Sequence, residues 1–402
     1  MSSYRRLFIQ HVAQTSPYPF GLEVSRAHGM HIYDHQGKPH LDFDSGISVS
    51  ALGHCHPAVV QAVQQQAATY MHTMVYGEHI QSPQVEYAKL LSEVLDNGLD
   101  TVYYVNSGTE AVEAALKLAR KASGRREIIA CSNAYHGSTI AAESLRSDYS
   151  FSRHYAPGIP EVNHIRFNNE ADLQLITKQT ACVILEPVQA ENGVITPQDN
   201  YLKKVRQRCT DTGTIMILDE IQTGFGRTGY MFAHQKYDVI PDILLIAKGM
   251  GGGMPAGGIV ANNALLMEFS RNPALGHITT FGGHPVCIAA ALATLKTLLS
   301  SDYISRVAQK EKLFHSILSH PAIREVRSSG LMIAVELTSP DMLTPVIQKC
   351  MEEGLLTDYF LFNDRSFRIA PPLIITPDQI RAGVQVILDV LDSISETIHY
   401  KS

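Results

Sequence analysis

The sequence has no paired cysteines, no excess of positive charge and no apolar run long enough to cross a bilayer. Each absence removes a class of protein. Its six cysteines (Cys55, Cys131, Cys182, Cys209, Cys287 and Cys350) are scattered through 402 residues with no C-x-x-C pair. A disulfide scaffold packs more cysteine into less chain, so free thiols in a reducing cytoplasm are expected. Lysine and arginine number 33 against 39 aspartate and glutamate residues, a formal charge of -6. A dedicated nucleic-acid binder carries the opposite balance. The most apolar stretch, Val286 to Ser300, is interrupted by Lys296 and is too short to span a membrane. The opening MSSYRRLFIQHVAQ has no long apolar core, so no export signal is expected. There is no internal repeat, low-complexity segment or run of like charge.

What is present is an ordinary globular composition, 45% hydrophobic and 18% charged. A chain of this size buries a large core without staples. Its length predicts two or three domains, or one large domain with an appendage.

The pattern along the chain divides it. GMHIYDHQGKPHLDF reads as a hairpin with Gly37 in the turn. From Pro57 the pattern turns helical, with Val59, Ala62, Val63 and Ala67 on one face. Between about 100 and 285, the short apolar runs TVYYV, EIIA, ACVILE, TIMILDE, ILLIA and GGIVA alternate with amphipathic stretches. Unbroken β-branched runs between helices predict an α/β fold with a mostly parallel sheet covered on both faces. From about 296 a smaller α+β unit is expected, with helices over 296–319 and 341–353 and strands in GLMIAVEL and RIAPPLII. The expected division is an N-terminal segment, 1–50, joining the small domain, a large domain, 51–295, and a C-terminal small domain, 296–402. A helix runs across the second boundary.

In open α/β sheets, ligands bind beyond the carboxyl ends of the strands. After TVYYV come Ser107, Gly108 and Thr109 at the start of a helix, where free N–H groups can take an anion. Plain N-capping explains the same residues. After EIIACSNA comes Tyr135, a plate for a planar ligand or a core aromatic. TIMIL ends in Asp219, a carboxylate at a buried sheet edge, which calls for a cation or a ligand contact. ILLIA ends in Lys248, followed by four glycines in five residues. Desolvation disfavours an ammonium, which suits a nucleophile or base. An anion cradle, an aromatic plate, a buried acid and an activated lysine together match pyridoxal 5'-phosphate. That cofactor needs a phosphate site, a Schiff-base lysine and an acid facing its ring nitrogen.

The ordered motifs GHCHP, NSGTEAVE, AYHGST, EPVQAENG, LDEIQTGFGRTG, PDILLIAKGMGGGMPAGG, TTFGGHP and RIAPPL resemble the class III pyridoxal-phosphate aminotransferases, of the acetylornithine and ornithine type. The likeness covers about residues 20 to 376. It implies fold type I: a large domain with a mostly parallel seven-stranded-type sheet, plus a smaller α+β domain. It implies that Lys248 carries the cofactor and shuttles a proton, and that Asp219 pairs the ring nitrogen. Ser107, Gly108 and Thr109 would hold the phosphate, Tyr135 would stack on the ring and Gln222 would contact its 3′-oxygen. His136 falls in the cofactor-contacting set, as a structural histidine rather than a base. Thr280 would reach the phosphate of a neighbouring subunit, which implies a homodimer with shared sites. Arg368 would grip a substrate α-carboxylate in a two-pronged pair. Glu191 would pair that arginine when the donor brings no carboxylate. The implied activity moves an amino group from an ω-amino donor to 2-oxoglutarate by ping-pong chemistry in the cytoplasm.

There are departures and rivals. Ser138 stands where acetylornithine and ornithine enzymes commonly carry a carboxylate-binding arginine, with Arg146 and Arg153 as candidate substitutes. Ala190 and Asn192 occupy positions usually small and glycine-like. A mutase or decarboxylase of the same fold, a γ-aminobutyrate- or lysine-type aminotransferase and a non-catalytic cofactor binder remain alternatives. Gly224, Gly226 and Gly229 fit G-x-G-x-x-G, but a dinucleotide site needs a helix opening there, and none is indicated. His54, Cys55 and His56 are too close together, and lack a second group, for a tetrahedral metal site.

Overall fold

The computed structural model describes residues 3–399, so the outermost positions of both terminal segments lie outside it. Strands β1 (Val24–His28), β2 (His31–Asp34) and β3 (Pro39–Asp42) form an antiparallel meander. Gly37 turns β2 into β3 at φ 83, its N–H donating to Asp34 O at 3.0 Å. That is the hairpin the sequence predicts.

The centre is a seven-stranded sheet built from β4 (Thr101–Val105), β5 (Glu127–Cys131), β6 (Val162–Ile165), β7 (Thr180–Leu185), β8 (Ile215–Asp219), β9 (Ile243–Ile246) and β10 (Gly257–Ala261). Their order is β4-β10-β9-β8-β7-β5-β6, and only β10 runs antiparallel to its neighbours. Because β4 and β9 both oppose β10, they point the same way. Six carboxyl ends therefore share one edge.

The unbroken apolar runs follow from burial on both faces. Ile129, Val183, Met216, Leu218 and Leu244 pack on one side, among Tyr201, Leu202 and Val205 of the helix Tyr201–Thr212. Ile128, Cys182, Ile184, Ile217 and Leu245 pack on the other, against Ala111, Ala115 and Leu118 of the helix Gly108–Ser123. β6 escaped the sequence reading. Its segment, Val-Asn-His-Ile, lies on the sheet edge with Asn163 exposed, so no apolar run marks it.

The chain then adds β11 (Ile323–Ser329), β12 (Met332–Leu337), β13 (Leu355–Leu356), β14 (Asp358–Tyr359) and β15 (Ser366–Ile369). A second sheet runs β11-β12-β15-β14, and β13 pairs in parallel with β3 of the N-terminal meander. Two expectations need correction. The helix expected over 296–319 is two helices, Pro285–Ser300 and Val307–Ile317. Ser301 and Asp302 interrupt it, residue types that favour caps over helix interiors. The strand expected through RIAPPLII stops at Ile369, because Pro371 and Pro372 have no N–H for a ladder.

The glycine segment 224–229 forms a run of turns, and the five-residue helix Ala233–Tyr237 begins only after it. His54 Nε2 is 2.8 Å from Asp42 Oδ2, which occupies that ring in a structural contact. All six cysteines stand unpaired. Among the described residues no helix is long and apolar enough to cross a membrane.

Candidate active site

The shared strand edge opens on a cavity of about 650 Å³. Ser107, Gly108, Thr109, Tyr135, His136, Asp219, Gln222 and Lys248 all line it, at the ends of four different strands. Residues up to 141 positions apart in sequence thus meet because β4, β5, β8 and β9 end side by side.

The first wall is the N-terminus of the helix Gly108–Ser123. Ser107 caps it by accepting the Glu110 N–H at 3.4 Å. Glu110 reaches back to the Asn106 N–H at 2.7 Å, closing a reciprocal cap of the kind that fixes a helix start. Thr109 Oγ1 lies 2.8 Å from Thr139 Oγ1, which ties the helix start to the loop after β5. Gly137 is needed there: it sits at φ +126, and a Cβ would fall 2.3 Å from Thr109 Oγ1. These small residues leave backbone N–H groups and the positive helix end facing the cavity.

Lys248 follows β9 with φ 45, a left-handed conformation that costs a non-glycine residue about 1–3 kcal/mol. The side chain lines the cavity, where it makes no hydrogen bond or ion pair with the described residues. Its ammonium is pushed down to about 8, chiefly by burial, with Glu191 pulling the other way.

Asp219 ends β8 and is 4% exposed. Its Oδ2 meets His136 Nδ1 at 2.7 Å and its Oδ1 accepts the Ile221 N–H at 3.0 Å. The far ring nitrogen, His136 Nε2, is sealed and unpartnered. Tyr135 OH is 3.2 Å from Ser138 Oγ.

Gln222 connects the cavity to a closed ion pair behind it. Its Nε2 donates to Glu191 Oε1 at 2.8 Å and its Oε1 accepts from Arg368 Nη1 at 3.3 Å. Arg368 Nη2 lies 2.8 Å from both oxygens of Glu191. Burial pushes Glu191 up, but Arg368 and then Lys248 outweigh it and hold the carboxyl below its usual range.

Three expected residues are off the cavity lining: Glu191 and Arg368 lie behind Gln222, and Thr280, expected at a neighbouring subunit's site, lies apart from them. Thr280 is exposed and outside the cavity, its carbonyl accepting from His72. Neither substitute for a cation at Ser138 lines the cavity. Arg146 is locked on Asp148 at 3.0 and 3.1 Å, and Arg153 donates to its neighbour His154 on an exposed turn.

The sequence reading missed Glu186. It lines the cavity, accepts the Ala190 N–H at 2.9 Å and is pushed well above the carboxylate range, first by burial and then by Asp219. The signal was present: Glu186 is the first residue after β7, just as Asp219 closes β8.

The chain fits a planar, anionic, carbonyl-bearing cofactor. An unpartnered lysine on a strained backbone shares the cavity with a helix-start anion cradle, and the buried Asp219 carboxylate acts on that lysine.

Comparison with known proteins agrees. The family description Aminotransferase class-III matches residues 12–391. Acetylornithine aminotransferase of Methanosarcina mazei is 39% identical over 372 residues, 91% of each chain. That of Caldanaerobacter subterraneus subsp. tengcongensis is 34% identical over 408 residues, 98% of this chain and 100% of the other. A solved ornithine aminotransferase from Toxoplasma gondii, with PLP at partial occupancy in its active site, superposes with a TM-score of 0.91 at 29% identity, covering 98% of this chain and 94% of its own.

Proposed function

We propose a function for a chain that belongs to the class III aminotransferases and is therefore a transaminase: it moves an amino group from an ω-amino donor of the ornithine or acetylornithine type to 2-oxoglutarate. The observation that carries the reading is Lys248, unpartnered in a cavity whose opposite features are a helix-start cradle and Asp219. Pyridoxal 5'-phosphate, when bound, supplies a ring that accepts the electrons of a breaking C–H bond.

The chain's own residues do the rest. Ser107, Gly108 and Thr109 hold the phosphate with backbone N–H groups and hydroxyls. Lys248 Nζ would hold the cofactor's carbonyl carbon and, once an amine has taken that place, would carry a proton at the substrate carbon. Asp219, oriented by His136 and the Ile221 N–H, would hold the proton on the ring nitrogen. Tyr135 and Gln222, which both line the cavity, would contact the ring, Tyr135 on one face and Gln222 at its 3′-oxygen. Arg368 is closed on Glu191 while the ω-amine reacts, and opens to grip the carboxylate of 2-oxoglutarate in the second half-reaction.

We place two copies around shared sites, with Thr280 of each reaching the phosphate held by the other. Its exposure, and that of its apolar neighbours Ile278 and Phe281, supports this. Six unpaired cysteines support a reducing, cytoplasmic setting. The test is a donor screen on the cofactor-loaded protein, following the cofactor's absorbance. A spectral change with an ω-amine, reversed by 2-oxoglutarate with glutamate formed, is expected. No change with any donor would reject the reading.

A further inference from the structure

Arg368 carries more negative charge around it than a two-position switch with Glu191 requires. Asp44 and Asp358 act on its guanidinium as well. Asp358 is placed by the sheet, directly across β14–β15 from Arg368. Asp44 is placed by a turn. Ser45, Gly46, Ile47 and Ser48 follow it with φ of 59, 62, 61 and 66, four consecutive left-handed residues. Asp44 Oδ2 accepts the Ile47 N–H at 2.9 Å and so anchors that turn. Its other oxygen, Oδ1, is sealed from solvent without a partner, and so is Arg368 Nε. The backbone brings the two residues together: the Ala370 N–H donates to Phe43 O at 2.6 Å and Ser45 Oγ donates to Ala370 O at 2.6 Å, so the residues on both sides of Asp44 are bonded to the end of β15, two positions beyond Arg368, and each charge acts on the other.

We propose that Asp44 is a positioning residue that keeps a standing negative charge on Arg368 and so sets how tightly that arginine takes a substrate carboxylate. The inference rests on the reading of Arg368 as the carboxylate grip. When Glu191 moves off, Arg368 still answers to Asp44, and an incoming carboxylate meets a cation already partly neutralised. A donor presenting no carboxylate at that point leaves Arg368 on Glu191 and does not feel the difference. Asp44 therefore discriminates between the two half-reactions and speeds release of the dicarboxylic product.

Other charges face Asp44. They are Asp358, Asp42, Arg368 and Arg227. Asp42 is already engaged by the N–H groups of Asp44 and Ser45, both at 2.8 Å. Burial, then the Asp358 charge, push the Asp44 carboxyl up to about 6. Its competition with substrate is present above that pH and fades below it.

Asp44→Asn keeps the shape and the acceptor for Ile47 N–H while removing the charge. Cofactor-loaded wild type and variant are titrated with glutarate, an unreactive dicarboxylate, by calorimetry. At pH 7.5 the variant should bind about fivefold tighter, the scale of a partly screened unit charge. The two should converge below pH 6. In turnover, KM for 2-oxoglutarate should fall by a similar factor, with KM for the ω-amine donor and kcat moving less. Equal or weaker glutarate binding in the variant overturns the proposal. A parallel rise of both KM values does too, since that marks a role in folding the turn alone. Should the variant not fold, wild type decides: its glutarate affinity must fall as pH rises through 6, and a flat profile rejects Asp44. Glutarate binding needs no turnover, so a failed donor screen leaves this test standing. If wild type binds no glutarate at all, Arg368 is not the grip and the inference falls with it.

Discussion

Arg368 holds Glu191 through a single nitrogen, Nη2, which lies 2.8 Å from both carboxylate oxygens. The fork of the guanidinium is not spent on it. Nη1 turns instead to Gln222 Oε1 at 3.3 Å, and Nη2 also meets Tyr359 O at 3.1 Å. Both charged groups are almost fully buried, at 3% and 4% exposure. In that setting neither can stand alone, because an uncompensated buried charge costs about 3–5 kcal/mol. A ligand carboxylate can displace Glu191 by offering the same neutralisation. A ligand without one leaves the pair shut.

Glu191→Gln should therefore separate the two half-reactions. Removing the charge leaves Arg368 short of its counter-ion whenever the donor brings no carboxylate. The half-reaction with an ω-amine should slow by about tenfold, equivalent to roughly 1.4 kcal/mol. The half-reaction with glutamate, which supplies its own carboxylate, should change by less than about threefold. Stopped-flow absorbance with each donor measures the ratio. An equal loss with both would remove Glu191 from the switch.

The second prediction concerns the Lys248 amine. Its pKa is pushed down to about 8, so the neutral, nucleophilic form is scarce at pH 6.5 and dominant at pH 9. The rate at which apoprotein takes up pyridoxal 5'-phosphate should rise with pH and level off above about 8. Because Glu191 raises this pKa, Glu191→Gln should move the midpoint lower. Lys248→Ala should lose transamination entirely. A pH-independent uptake rate, or normal turnover by that variant, would remove the lysine from its role.

Much of this was legible in the sequence, for a physical reason. A strand buried on both faces reads as an apolar run, so the first polar residue after the run marks the functional edge of the sheet. Asp219 and Lys248 announce themselves in that way, and Ser107 does so through its helix cap. Glu186 obeys the same rule, but the motif around it drew attention to Glu191 instead. Residues that act across long loops left no local mark. The link from Gln222 to Arg368 spans 146 positions and depends on how β15 meets the loop after β8. Asp44 is ordinary in sequence, and only the left-handed turn after it gives it a place. β6 stayed hidden because an edge strand needs no apolar face.

Gly137→Ala tests the anion cradle. The added methyl would meet Thr109 Oγ1 at 2.3 Å, and φ +126 is a conformation alanine resists. The backbone penalty alone is about 1–3 kcal/mol. Thr109 must move, and with it the helix start that takes the phosphate. Thermal unfolding should show the stability loss. Equilibrium titration should show weaker binding of pyridoxal 5'-phosphate, by about tenfold or more. A destabilised variant with unchanged cofactor affinity would place the phosphate elsewhere.

Ser138 carries the sharpest statement about the donor. Its hydroxyl lies 3.2 Å from Tyr135 OH at the cavity wall and brings no charge. Arg146 cannot stand in, because Asp148 already takes two of its nitrogens and its guanidinium lies 4.6 Å from the centre of the Phe151 ring. A donor with an α-carboxylate at its far end therefore finds no cation beside Ser138 among the described residues. N-acetylornithine should be used less well than by a relative with arginine at this position. Ser138→Arg should raise kcat/KM for it by about tenfold, the order expected of a charge-assisted pair. Donors without that carboxylate should not gain. Steady-state kinetics over the panel decides the matter: if wild type prefers N-acetylornithine by a wide margin, some other group supplies the missing charge.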